Sequence, residues 1–160
     1  MTGIEANSGF LALALPFLAA ALAPILTGFL KQHSCWVLAL APAFAFLIFL
    51  GALPEVAGGN VFLFGLDWIP SFDVRFSFRL DGLSSTFALL ITGIGTLIIL
   101  YSGGYLAGHR DQGRFLSFML MFMGAMLGLV MSDDLMTLIV YWELTSITSF
   151  LLIGFDHERG

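Results

Sequence analysis

Long apolar runs separated by short polar breaks dominate this chain. Five runs occupy residues 9–30, 35–53, 83–106, 115–131 and 135–155. A hydrocarbon core about 30 Å thick takes about 20 apolar residues of helix to cross, so each run predicts a transmembrane helix. The fourth is the shortest, and the fifth carries one carboxylate. A single segment breaks the helical pattern. From Asp73 to Asp81 polar and apolar residues alternate without a break, the period of a strand with one face covered. Residues 61–69 are rich in strand formers, and Pro70-Ser71 supplies a turn signal between the two. The pattern therefore predicts an all-α integral membrane protein, one membrane domain of five transmembrane helices. A β-hairpin at about 61–80 lies over one membrane surface between the second and third helices. Phe76, Phe78 and Leu80 are expected to pack against helix ends or against a partner subunit.

Local signals refine the elements. Pro16 and Pro24 fall inside the first run, where proline is tolerated in a spanning helix because neighbours or waters satisfy the freed carbonyls. Lys31-Gln32-His33-Ser34 turns the chain into the second run, with Trp36 at interfacial depth. Asp81 before Gly82-Leu83-Ser84 reads as the N-cap of the third helix, a structural role rather than an ion site. Tyr101 and Tyr105 end that helix, and Gly103, Gly104 and Gly108 loosen its exit. Gly124 and Gly128 have the spacing that permits close helix packing. The methionines of the fourth run read as packing rather than a metal path, because Met119, Met121 and Met123 point in different directions around a helix.

Composition changes the picture mainly by exclusion. Hydrophobic residues make up 59% and charged residues 11%, against about 45–50% and about 25% in soluble domains. Neither a basic stripe nor an aromatic-plus-arginine face is present, so nucleic acid is not a supported partner. Cys35 is the single cysteine, which leaves no disulfide framework or thiolate metal site within the chain. The charges do report sidedness. With loops on alternating sides, Lys31, Arg110, Arg114 and Arg159 share one side, while the N-terminus, the hairpin and Ser132-Asp133-Asp134 share the other. The positive-inside rule then predicts an external N-terminus and a cytoplasmic C-terminus. His33, His109 and His157 fall in loops and read as solvated interfacial residues.

Glu143 carries the candidate chemistry. It lies near the middle of the fifth run, where an acidic group costs about 2.5–3.5 kcal/mol and each Leu, Ile, Phe or Val returns about 0.3–0.6. An ionisable residue at such depth is by default a functional-site hypothesis. At about 100° per residue, Tyr141, Thr145, Thr148 and Ser149 fall on the face away from Glu143, and Ser146 lies beside it. A helix polar on several faces is expected to be enclosed by other helices, its hydroxyls able to relay protons or hold waters. Trp142 reads as packing. No Lys or Arg accompanies Glu143 at that depth, and no metal or other cofactor site is expected.

The string from Tyr141-Trp142-Glu143-Leu144-Thr145-Ser146 to Gly154-Phe155, preceded by Ser132-Asp133-Asp134-Leu135, resembles the fifth-helix signature of the antiporter-like membrane subunits. These are the A subunit of Mrp-type multisubunit cation/proton antiporters and the homologous proton-pumping L subunit of respiratory complex I. Arg79-Leu80-Asp81-Gly82-Leu83-Ser84 and Gly113-Arg114-Phe115 support the resemblance, which runs from about residue 60 to the end. The WELTS form of the string favours the A subunit. The resemblance implies a non-enzymatic cell-membrane subunit exchanging Na⁺ or another monovalent cation for protons, with Glu143 essential and other membrane subunits as partners. It also implies about fourteen or more helices, with lysines on later ones. This chain therefore reads as an N-terminal fragment or one part of a split subunit, not expected to catalyse exchange alone. A complex I-like proton pump subunit and a truncated structural subunit are the alternatives.

Overall fold

The computed structural model describes residues 5–69, 74–106, 108–109 and 111–156. Pro70, Ser71, Asp73, Arg110, His157 and Arg159, which entered the turn and charge readings above, lie outside the described residues. The elements are α1 (Glu5–Leu30), a 3-10 turn (Lys31–His33), α2 (Ser34–Ala57), β1 (Phe62–Ile69), β2 (Val74–Leu80), α3 (Gly82–Tyr105), α4 (Gln112–Val130), α5 (Leu135–Ile153) and a closing 3-10 turn (Gly154–Asp156). Among the described residues five helices are long and apolar enough to cross a membrane, and the hairpin stands between the second and third of them.

Helix and apolar run do not share all their ends. α1 begins at Glu5 rather than residue 9, α2 runs on to Ala57 rather than 53, and α4 begins at Gln112 rather than 115. Hydropathy marks the thickness of hydrocarbon, whereas backbone hydrogen bonding carries a helix onward into the polar layer. α2 stops where Gly58 donates to Pro54 O at 3.1 Å and Gly59 takes a positive φ of 91°, a conformation glycine adopts without strain. α5 stops at Ile153, and Phe155 instead turns back to pack on Phe115 at a ring separation of 5.2 Å.

α1 packs on α4 and α2, α2 on α3, and α4 on α5. Lipid gives apolar helices no hydrophobic reason to associate, so close van der Waals fit must do it, and small residues permit that fit. Ala12, Ala19, Ala20 and Ala23 of α1 are all buried. Gly124 of α4 receives the Phe17 ring from α1, and Gly128 receives the Tyr141 ring from α5. The two glycines thus seat rings from two different helices. Ser117 adds an interhelical hydrogen bond, donating to Ala20 O at 2.7 Å.

The hairpin forms one end of the bundle. Its antiparallel register pairs Phe62 with Leu80, Phe64 with Phe78 and Leu66 with Phe76. Phe64, Phe78 and Leu80 are buried. Phe64 and Phe78 stack at 5.4 Å, Phe10 of α1 meets Phe64 edge-on at 5.0 Å, and Tyr141 of α5 meets Phe78 at 5.7 Å. Of the two surroundings expected for these residues, helix ends of the same chain are the ones found. On the outer face Arg75 pairs with Asp67 at 2.9 Å, both exposed. The start of α1, the hairpin and the α4–α5 connection therefore share one end. Lys31, His33, His109 and the start of α4 line a common cavity at the other end. That is the grouping expected from alternating loops.

Candidate functional site

The entry to α5 is fixed by Asp134, whose extended backbone leaves its carboxylate free to cap the helix. Oδ1 accepts from Thr137 N at 2.8 Å and Oδ2 from the Thr137 hydroxyl at 2.6 Å. The same carboxylate reaches the hairpin, accepting from Ser77 N at 3.2 Å, and Thr137 Oγ1 accepts from that N–H at 3.0 Å. Two backbone bonds lie alongside: Arg79 N donates to Met131 O at 2.7 Å, and Asp133 N to Ser77 O at 2.9 Å. Arg79 completes the junction between Asp81 at 3.3 Å and Asp133 at 3.6 Å. Burial works against the charge of Asp134. Hydrogen bonds from the Thr137 hydroxyl, Thr137 N and Ser77 N outweigh it, and the carboxyl is held below its usual range. Asp81 behaves similarly at α3, where Leu83 N and Ser84 N donate to its carboxylate and Ser84 closes the capping box. The Ser84 N–H is the leading cause of its lowered pKa.

The Asp134 latch sets the rotation of α5, and with it the placement of Glu143 at the middle of a 19-residue helix. Tyr141 turns inward onto Gly128 and Phe78, and Thr137 and Thr148 are buried. Glu143 faces out of the five-helix body and is exposed. Above and below it on the same stripe stand Met136, Ile139, Val140, Ile147 and Phe150, all exposed as well. Among the described residues Glu143 has no ion pair; the three present join Arg75 and Arg79 to aspartates at the hairpin end. Helices enclosing α5, expected from its polarity, are not among the described residues beyond α4.

The four hydroxyl residues divide. Thr145, Ser146 and Ser149 line a shallow cleft of about 340 Å³ between α4 and α5, with Trp142, Phe122 and Met126. Thr148 points inward instead. All four satisfy themselves on their own helix: Thr145 and Ser146 donate to Trp142 O at 2.6 and 3.2 Å, Thr148 to Leu144 O at 2.8 Å, and Ser149 to Ser146 O at 3.0 Å. Such back-bonding leaves each oxygen able to accept one further bond. Glu143 does not line that cleft. Among the described residues no three His, Cys, Asp or Glu side chains form a metal-holding group. The Asp134–Thr137–Ser77 latch escaped the sequence reading, although Asp134 three residues before Thr137 at a helix start is a capping signal.

Comparison with known proteins agrees with this architecture. The family model for the N-terminus of chain 5 of NADH-ubiquinone oxidoreductase (complex I) matches residues 68–116, from the end of β1 through the start of α4. A Na⁺/H⁺ antiporter subunit A1 of Staphylococcus haemolyticus is 45% identical over 93% of this chain, and one of Staphylococcus aureus is 44% identical over the same share. The similarity thus extends well before residue 60, into α1 and α2. The chain spans 19% of the length of these relatives. A solved Mrp complex from a Dietzia species contains a chain that superposes with a TM-score of 0.82 at 33% identity, covering 95% of this chain and 16% of that one. An archaeal membrane-bound sulfane sulfur reductase shares the fold, with a TM-score of 0.72 at 19% identity over 89% of this chain and 22% of its own. Sequence and fold together make this chain a relative of the A subunits of Na⁺/H⁺ antiporters, matched over a segment about a fifth of their length.

Proposed function

We propose that this chain is part of a membrane subunit that exchanges Na⁺ for protons, and that Glu143 carries the proton. The kinship with Na⁺/H⁺ antiporter A subunits supports the activity. The observation that carries the site is Glu143 itself, an ionisable side chain halfway along an apolar helix, exposed among Ile139, Val140 and Ile147. Intramembrane carboxylates nearly always face a protein interior or a water-filled cavity. The uncovered stripe of α5 is therefore a surface for further helices, from later parts of the subunit or from partner subunits. Those helices supply the opposing charge and the proton path. Hydroxyls of Thr145, Ser146 and Ser149 support the path by accepting hydrogen bonds from water in the cleft they line, while Thr148 lies buried on the inward face of the same helix. The end bearing Lys31 and Arg114 faces the cytoplasm, and the hairpin faces outside.

The experiment is Na⁺-driven proton flux in vesicles carrying the full antiporter. Glu143→Gln keeps shape and hydrogen bonding while removing titration, so flux is abolished while the subunits still co-purify. Glu143→Asp retains part of it. Wild-type flux in Glu143→Gln would overturn the assignment. The match of residues 68–116 to complex I chain 5 favours a second reading, a proton-pumping subunit of an oxidoreductase. Proton movement that depends on electron transfer and not on Na⁺ would establish that reading instead.

A further inference from the structure

Opposite the hairpin, the turn between α1 and α2 faces the loop that leads into α4 across a half-open cavity of about 690 Å³. That volume falls within the 300–1,000 Å³ range usual for small-molecule sites. Its lining includes Thr27, Lys31, His33, His109, Gln112 and Gly113, and no carboxylate among the described residues. Asp111, the nearest acid along the chain, is not part of that lining, and its side chain does not cap α4. The His109 Nδ1 accepts from Asp111 N at 3.3 Å, which leaves Nε2–H as the ring's donor. Lys31 is the only non-glycine among the described residues with a positive φ, 49°. The turn thus holds a long cationic side chain where glycine would adopt the backbone without strain. The start of α4 meets the same cavity; Gln112 N donates to His109 O at 3.3 Å, and the N–H groups of Gly113 and Arg114 that follow lack intrahelical acceptors.

A second feature fixes the depth of this cavity. Phe29, Trp36, Tyr101 and Tyr105 lie at the same end and are all strongly exposed, the two tyrosines stacked at 6.0 Å. Exposed tyrosine and tryptophan collect at the headgroup level, where the ring is in apolar surroundings and the polar tip is wet. Basic donors, a lining without carboxylates among the described residues and a headgroup-level aromatic belt converge on one ligand chemistry. We propose that this cavity binds the phosphate of an anionic phospholipid, with Lys31 as its charge partner and His33 and His109 as further donors. Basic pockets between membrane helices recognise such headgroups. The proposal depends on the chain spanning a membrane and not on ion exchange.

The test uses the assembled antiporter in lipid discs of phosphatidylglycerol and phosphatidylcholine, with a trace of either lipid carrying a photoreactive headgroup. Labelled peptides are mapped by mass spectrometry. Phosphatidylglycerol labels residues 27–33 and 108–113, and phosphatidylcholine labels them much less. Lys31→Gln lowers the phosphatidylglycerol signal about fivefold, the effect of one lysine charge near the surface, and Lys31→Arg restores it. Lys31 is exposed, and size-exclusion profiles verify that both variants assemble. Glu143→Gln labels like wild type, so failure of the exchange mechanism leaves this result intact. Equal labelling by both lipids, or a signal indifferent to Lys31→Gln, would overturn the proposal. Displacement of the lipid by millimolar inorganic phosphate would overturn it too, marking a site for the free anion.

Discussion

Removing the carboxylate of Asp134 should release the hairpin from α5 without unfolding either. In Asp134→Ala the helix loses its N-cap, worth about 1 kcal/mol. The Thr137 hydroxyl and Ser77 N–H lose a charged acceptor at 2.6 and 3.2 Å; hydrogen bonds to charged groups contribute about 1.5–3 kcal/mol. Ser77 N is not orphaned, because Thr137 Oγ1 still accepts from it at 3.0 Å. The sum is on the order of 2–4 kcal/mol of local stability, or roughly 30-fold to several-hundred-fold more frequent opening at about 1.4 kcal/mol per decade. Hydrogen–deuterium exchange in detergent micelles reads this directly. Peptides spanning 74–80 and the first turn of α5 should exchange faster, while the middle of α3 is unchanged. Asp134→Asn, which keeps an acceptor for Thr137 N, should fall between. The folded carboxyl titrates below its unfolded value, so the latch is complete above the unfolded pKa and is lost as pH falls through the folded one. Exchange in these peptides, corrected for intrinsic rate, should therefore be flat from pH 5 to 8 and rise only below about pH 4. Unchanged exchange in Asp134→Ala, or uniform loosening of all five helices, would refute the latch.

Other consequences follow from the packing. Gly128→Ala drives a methyl into the Tyr141 ring and should cost about 1–3 kcal/mol, whereas Gly51→Ala, which meets nothing, should stabilise by about 0.4–1 kcal/mol; equal melting temperatures in micelles would contradict this. Phe78→Asp places a carboxylate among Phe10, Phe64 and Tyr141 and should block assembly. Ser77→Ala removes only a 3.4 Å side-chain contact to Asp133 and should assemble normally, so comparable yields of the two variants would argue against the docked hairpin. Cysteines introduced at Asn60 and Lys31 should label from opposite sides of the membrane. Buried Cys35 adds no background, and labelling of both from one side would break the topology.

The elements were legible in the sequence because two periods are unmistakable: apolar runs of bilayer length, and the unbroken alternation ending at Asp81. The Asp81 N-cap was legible too, since a cap is a local event between neighbours in sequence. What escaped was long-range. Ser77 and Asp134 are far apart along the chain, and nothing in either segment names the other. Gly124 and Gly128 advertise a close approach but not the identity of the visiting rings. Helix ends at Glu5, Ala57 and Gln112 were missed because polar residues continue a helix that hydropathy no longer marks. At the candidate site, the position of Glu143 near the middle of an apolar helix was readable from sequence, whereas its exposure on the outer face of α5 was not. The grouping of Thr145, Ser146 and Ser149 away from Thr148 was not either, because it depends on how α5 rotates against α4.

The central claim is that Glu143 takes up and releases the transported proton. Infrared difference spectroscopy on the assembled transporter in lipid, switched between proton-loaded and Na⁺-loaded conditions, observes that event on the side chain. A protonated-carboxyl C=O band should appear and disappear with the switch, and it should be missing from Glu143→Gln while Asp134→Asn retains it. A band that persists unchanged in Glu143→Gln would assign the proton to another group and contradict the account.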